Sequence, residues 1–150
     1  MARRGHTLSV AESCTGGLIA QRLTSRSGAS SFFLGGIVAY DNGAKEALLG
    51  VDYETLEEHG AVSEQVLTEM LEGVRKRFQS DAAIAITGIA GPDGGTPQKP
   101  VGTVWYAAAL GDRVRTVCRR FAGNREAVRE RSAQAALALL YDFYRARVTP

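Results

Sequence analysis

The chain has 150 residues, 45% of them hydrophobic, and 18 basic against 16 acidic side chains give a formal net charge of +2. That is the size of one ordinary domain over residues 1–150, able to bury about two thirds of its unfolded surface without a metal or disulfide scaffold. The near-neutral balance argues against a dedicated nucleic-acid binder, and no apolar run approaches the length of a membrane span.

Cys14 and Cys118 are too few for a disulfide framework and suit a reduced, cytoplasmic setting. His6 and His59 do not join them at metal-ligand spacing, so no metal site is expected. Met1 to His6 is basic, but the apolar run that follows is too short for a signal peptide.

In chain order, Thr7 to Ala11 reads as a short buried strand that stops at Glu12-Ser13-Cys14-Thr15. A helical pattern follows, with Thr15 as its expected N-cap, Leu18, Ile19 and Leu23 on one face and Gly28 beyond its end. Phe32 to Tyr40 is β-branched and aromatic and reads as a strand, with Gly35-Gly36 marking a bulge or close backbone approach. Asp41-Asn42-Gly43 reads as a turn, residues 44–50 as a short helix stopped by Gly50, and 52–58 as a further helical segment.

Ser63 caps the next predicted helix, whose apolar stripe runs Val66, Leu67, Met70, Leu71, Val74 and Phe78. Ala82 to Ile86 has the continuous apolar character of a strand buried on both faces. A long glycine-dense loop, 87–97, follows it, and such loops at strand ends are where open α/β sheets bind ligands. Residues 101–110 and 114–121 form a predicted hairpin around Gly111-Asp112, and Asn124 caps a last helix. The order β-α-β-α-α-β-β-β-α predicts a three-layer α/β/α sandwich with a mixed sheet, and leaves strand order open.

The chemistry centres on Ser13. A hydroxyl in a glycine-flanked strand-to-helix turn, beside backbone N–H groups near Thr15 and Gly16, has the parts acyl transfer needs: a nucleophile next to an oxyanion hole. Lys45 is the candidate base, since a helix N-terminus and burial both favour its neutral form. Tyr40, five residues earlier, is placed to orient the lysine or donate a proton. Cys14 competes as nucleophile, but adjacent residues on an extended turn point opposite ways, so it packs behind if Ser13 faces a pocket.

Three segments then carry a family resemblance: Ala11 to Gly17; Tyr40 to Lys45 with Leu48-Leu49-Gly50-Val51; and Thr87 to Gly95 with Lys99 to Val104. Phe121 to Arg125 with Arg129 adds a fourth. In this order and spacing the chain resembles the CinA C-terminal domain family, which includes nicotinamide mononucleotide deamidases, from Thr7 to about Phe143. Members usually carry a helix before the first strand, and the family also occurs as the C-terminal half of a longer two-domain protein. Asp41 stands where Ser or Thr is common.

The resemblance implies a CinA-like fold that hydrolyses the carboxamide of nicotinamide mononucleotide to nicotinate mononucleotide and ammonia. It implies Ser13 as nucleophile, Lys45 as base with Tyr40 assisting, no metal or other cofactor, and a homo-oligomer. Gly17, Asn42, Thr87, Gly88 and Gly91 are candidate substrate-binding residues. Arg125 and Arg129, one helical turn apart near a helix start, are the candidate phosphate readers. Two other readings stay open here. One is a non-catalytic nucleotide-binding or competence/DNA-damage-associated regulatory module. The other is an adaptor using Arg113, Arg115, Arg119 and Arg120, a run that reads more simply as the solvated face of a hairpin.

Overall fold

Side chains of a strand alternate between faces, and in the central strands the two faces differ in size. The computed structural model describes residues 1–146. In β1 (Leu8–Glu12), β3 (Ala82–Gly88) and β4 (Thr103–Leu110), one face carries Leu8, Val10, Ile84, Ile86, Val104, Tyr106 and Leu110. It packs on Ile19 of α1 (Leu18–Thr24) and on Val128, Ala136, Leu140 and Phe143 of α5 (Arg125–Arg145). The other face is mostly small, with Ala11, Ala83, Ala85, Ala107 and Ala109 beside Ser9, Thr87 and Thr103, and Trp105 as its one large side chain. Large side chains of α4 (Glu64–Phe78), among them Leu67, Met70, Leu71 and Val74, fill the space those alanines leave.

The sheet order is β2-β1-β3-β4-β5, with β2 spanning Phe33–Val38 and β5 Arg113–Arg120. β1 pairs in parallel with both β2 and β3, whereas β4 and β5 are antiparallel. The chain leaves β1 toward β2 on one side, then returns over the opposite face through α2 (Asn42–Leu49), α3 (Tyr53–His59) and α4 to β3 on the other. That reversal makes the carboxyl end of β1 a topological switch point, where open α/β sheets form a ligand crevice. Ser13 and the 88–97 loop both emerge there.

Most predicted elements appear with shifted ends. β2 occupies 33–38 within the expected 32–40, and β4 begins at Thr103, two residues later than expected. The Gly35-Gly36 irregularity is a bulge that leaves Leu34 as the extra residue between the pairs Leu8–Phe33 and Ser9–Gly35. Asp41-Asn42-Gly43 is the start of α2 and not a separate turn. Asp41 caps it, its Oδ1 accepting the Ala44 N–H at 2.6 Å. Ser63 and Asn124 cap α4 and α5 as expected, accepting from the N–H groups of Val66 and Ala127. Among the described residues no helix is long and apolar enough to cross a membrane.

Candidate active site

The site begins with a carboxylate that is fully buried. Glu12 ends β1 on the same face as Leu8 and Val10, so its side chain points inward, under the start of α1. Its Oε2 accepts from the Thr15 hydroxyl at 2.6 Å and from the N–H groups of Gly17 and Ile19 at 3.2 and 3.0 Å. Its Oε1 accepts from the Ala20 N–H at 2.8 Å. A helix start offers unpaired donors and a positive dipole end, so a carboxylate is well placed there.

Thr15 is therefore not the N-cap. The cap position falls to Gly17, at φ 97°, a left-handed conformation that glycine adopts without penalty. Thr15 instead spends its hydroxyl on Glu12. The Gly16 N–H, an expected oxyanion donor, is also engaged, donating to the Ser13 carbonyl at 3.0 Å. Leu18 N–H donates to the Thr15 carbonyl. Among the described residues the N–H of Thr15 finds no acceptor.

Ser13 and Lys45 line one cavity of about 260 Å³, together with Tyr40, Asn42, Thr87, Gly88, Gly91 and Arg125. Lys45 is the fourth residue of α2 and only 1% exposed. Its ammonium donates to the carbonyls of Tyr40 and Asp41, both at 3.3 Å. Burial lowers its pKa below the ordinary lysine value, and the nearby Asp41 carboxylate and Cys14 only partly oppose this. Cys14 also lines the cavity, and its buried side chain packs into the cluster on the α1 and α5 side. Burial pushes its thiol up to about 12, so the thiolate that would make it a nucleophile is suppressed.

Tyr40 differs from expectation. Its carbonyl, not its phenol, meets Lys45. The ring is 56% exposed and the phenol oxygen accepts from Arg125 Nη2 at 2.6 Å. Arg125 Nη1 donates to the Gly91 carbonyl at 2.7 Å, so this one guanidinium ties the start of α5 to both walls of the cavity. Arg129 does not line the cavity. It donates to the Thr15 carbonyl at 2.9 Å and braces the turn from behind, with Gly16 under its guanidinium. Gly17, packed near Val38, is also outside the cavity lining. Thr87 sends its hydroxyl to the Ala61 carbonyl at 2.8 Å.

Lining residues without an earlier signal are Ala61 and Val62, between α3 and α4, where no local pattern points at a site; Ile89, Ala90, Asp93 and Gly94 belong to the glycine-dense loop. Of the hairpin arginines, Arg113 stacks 4.7 Å from the Phe143 ring centroid and Arg119 lies 5.3 Å from that of Phe121. They cover core aromatics while facing solvent.

A serine and a buried lysine line one cavity at the switch point of an open mixed sheet, which places the chain among α/β domains with a serine-lysine cavity. The model of the CinA C-terminal domain matches residues 1–144, and the chain belongs to that family. It is 54% identical over 137 residues to a CinA-like protein of Mycolicibacterium vanbaalenii, covering 91% of this chain and 32% of the relative. The chain thus spans about a third of the length of the curated relatives it matches.

Solved structures agree over nearly the whole fold. Competence damage-inducible protein A of Klebsiella pneumoniae superposes with a TM-score of 0.90 at 40% identity, covering 94% of this chain and 88% of its own. A competence/damage inducible protein of Agrobacterium tumefaciens gives 0.90 at 41% identity, covering 94% and 92%.

Two outcomes follow from this geometry. Glu12→Gln turns an amide NH2 toward at least one of the three backbone donors and removes a charge-assisted acceptor, and is expected to destabilise the fold by about 1.5–3 kcal/mol. Urea denaturation measures it, and an unchanged midpoint would rule out Glu12 as the cap that holds α1.

Lys45→Met is expected to stabilise the protein. A lysine whose pKa is lowered by folding binds fewer protons in the folded than in the unfolded chain between the two values, so stability rises with pH across that interval. Below it the folded chain bears the full cost of the buried ammonium. The advantage of the methionine variant should therefore be greatest at low pH and shrink toward the ordinary lysine value. Thermal unfolding at several pH values tests this, and a variant less stable than the parent throughout would contradict it.

Proposed function

We propose that this domain is a nicotinamide-nucleotide amidohydrolase that releases ammonia from nicotinamide mononucleotide through a Ser13 acyl-enzyme. What carries the reading is the pairing of Ser13 with a buried, pKa-lowered Lys45 in one cavity, while the neighbouring thiol is held protonated. Membership of the CinA C-terminal domain family supports it.

In this mechanism neutral Lys45 takes the Ser13 proton as Oγ bonds to the carboxamide carbon. The carbonyl oxygen gathers negative charge in a tetrahedral intermediate. With the Gly16 N–H and the α1 donors engaged elsewhere, the N–H of Thr15 is the candidate to stabilise it. The C–N bond breaks as the Lys45 ammonium returns the proton to the leaving nitrogen, giving ammonia and an ester. Water then attacks the ester with Lys45 again as base, releasing the carboxylic acid and restoring Ser13.

Arg125, which retains guanidinium N–H groups beyond the two bonds to Tyr40 and Gly91, is the candidate phosphate partner. In this reading Arg129, bonded to the Thr15 carbonyl outside the cavity lining, supports the turn.

Ser13→Ala is expected to lower ammonia release from nicotinamide mononucleotide by more than about 10³-fold, while Cys14→Ala keeps most of it. Lys45→Arg should be as damaging as Lys45→Ala, because guanidinium stays protonated. A coupled ammonia assay reads all four variants. Near-normal turnover in Ser13→Ala, or substantial activity in Lys45→Arg, would sink the respective role.

A further inference from the structure

Gly73 lies in the middle of α4, where glycine weakens a helix by about 1 kcal/mol relative to alanine. The reason for it is the packing of α2. A Cβ at Gly73 would lie 1.8 Å from the Leu49 carbonyl oxygen, 2.7 Å from its carbon and 3.0 Å from its Cα. A methyl group needs roughly 3.3 Å from an oxygen, so any side chain there drives the end of α2 away by on the order of 1.5 Å.

Leu49 and Lys45 are four residues apart on α2, hence on one face, and both are buried. The Lys45 carbonyl also accepts the Val51 N–H at 3.2 Å, which ties Lys45 to the same end of the helix. With only two turns, α2 transmits a displacement at Leu49 to Lys45. We propose that Gly73 is a positioning residue for the reaction: its missing Cβ lets α2 sit deep enough on α4 to keep the Lys45 amine dry in the cavity that holds Ser13. This rests on Lys45 being the base.

The outer side of that seat is open. A groove of about 560 Å³, bordered by Leu48, Gly50, Gly73 and Lys76, runs along the α2–α4 contact. Lifting α2 opens a way from the groove to the amine. The charged groups around Lys45 are few. Asp41 at the start of α2 and Cys14 behind Ser13 both favour the ammonium. Arg125 and Asp93 face the same cavity from α5 and the 88–97 loop, with the Tyr40 phenol at its rim. From α4, Glu69, Glu72, Lys76 and Arg77 line the groove and not the cavity. The seat substitutions add and remove no charge, and Asp41 moves with Lys45 because it caps the same helix.

The test uses Gly73→Ala and Leu49→Ala, which disturb the same seat by adding atoms and by subtracting them, with Leu71→Ala as an α4 core control. The Lys45 side chain is titrated by NMR of lysine labelled at Cε, its resonance assigned from the Lys45→Ala spectrum. Ammonia release is followed across pH in parallel. In both seat variants the Lys45 midpoint and the acid limb of kcat should rise by about one pH unit, making kcat on that limb about tenfold lower, with KM little changed. Leu71→Ala should lose stability with the midpoint in place.

If Gly73→Ala does not fold, Leu49→Ala carries the same expectation. A Lys45 midpoint unmoved in the folded seat variants would overturn the proposal. An inactive parent whose Lys45 midpoint still moves would refute the amidohydrolase reading alone, because the NMR titration needs no turnover.

Discussion

Four hydrogen bonds converge on the Glu12 carboxylate where β1 becomes α1, and the geometry around Ser13 depends on them. The bonds take up the donors that a helix start ordinarily offers to solvent or to a ligand. The turn thus gains rigidity and forfeits the helix N-terminus as an anion site. Ser13 is held between a fixed strand and a fixed helix, and Arg129 clamps the Thr15 carbonyl from α5. A reacting group gains from this because small misplacements of catalytic atoms are costly in rate.

The second constraint is the burial of Lys45. An amine taken out of water opposes folding, and the fold accepts that through the small side chains around it. Alanines on the inner sheet face let α4 approach closely, and Gly73 lets α2 approach α4 in turn. Burial lowers the Lys45 pKa on the α2 and α4 side, and burial of Cys14 in the core on the α1 and α5 side raises that of its thiol. Desolvation disfavours the charged form of either group, so both shift toward the neutral form.

Much of this was legible in the sequence where its cause is local. Apolar period marked α4, Gly50 marked the end of α2, and Asn124 and Ser63 marked helix starts. Strand order was not legible, because nothing local says that β3 passes β1 on the side opposite β2. Thr15 misled because cap preferences describe near neighbours, whereas the donors of α1 are met by a side chain five to eight residues upstream. A signal did exist: Glu12 alternates with Leu8 and Val10, which puts a carboxylate on the buried face just before a helix. Arg125 and Arg129 share a helical face by spacing, but only the course of α5 separates them, one at the cavity and one behind the turn. Spacing brings Tyr40 to the cavity, but only the structure shows that its carbonyl meets the lysine while its phenol meets Arg125.

The central claim is a covalent intermediate on Ser13, and rapid-quench mass spectrometry during turnover of nicotinamide mononucleotide tests it most directly. The account predicts a transient adduct equal to the substrate less ammonia, mapped to the peptide at Ser13 and absent from Ser13→Ala. Turnover with no adduct at any sampling time, or an adduct mapped to Cys14, would contradict it.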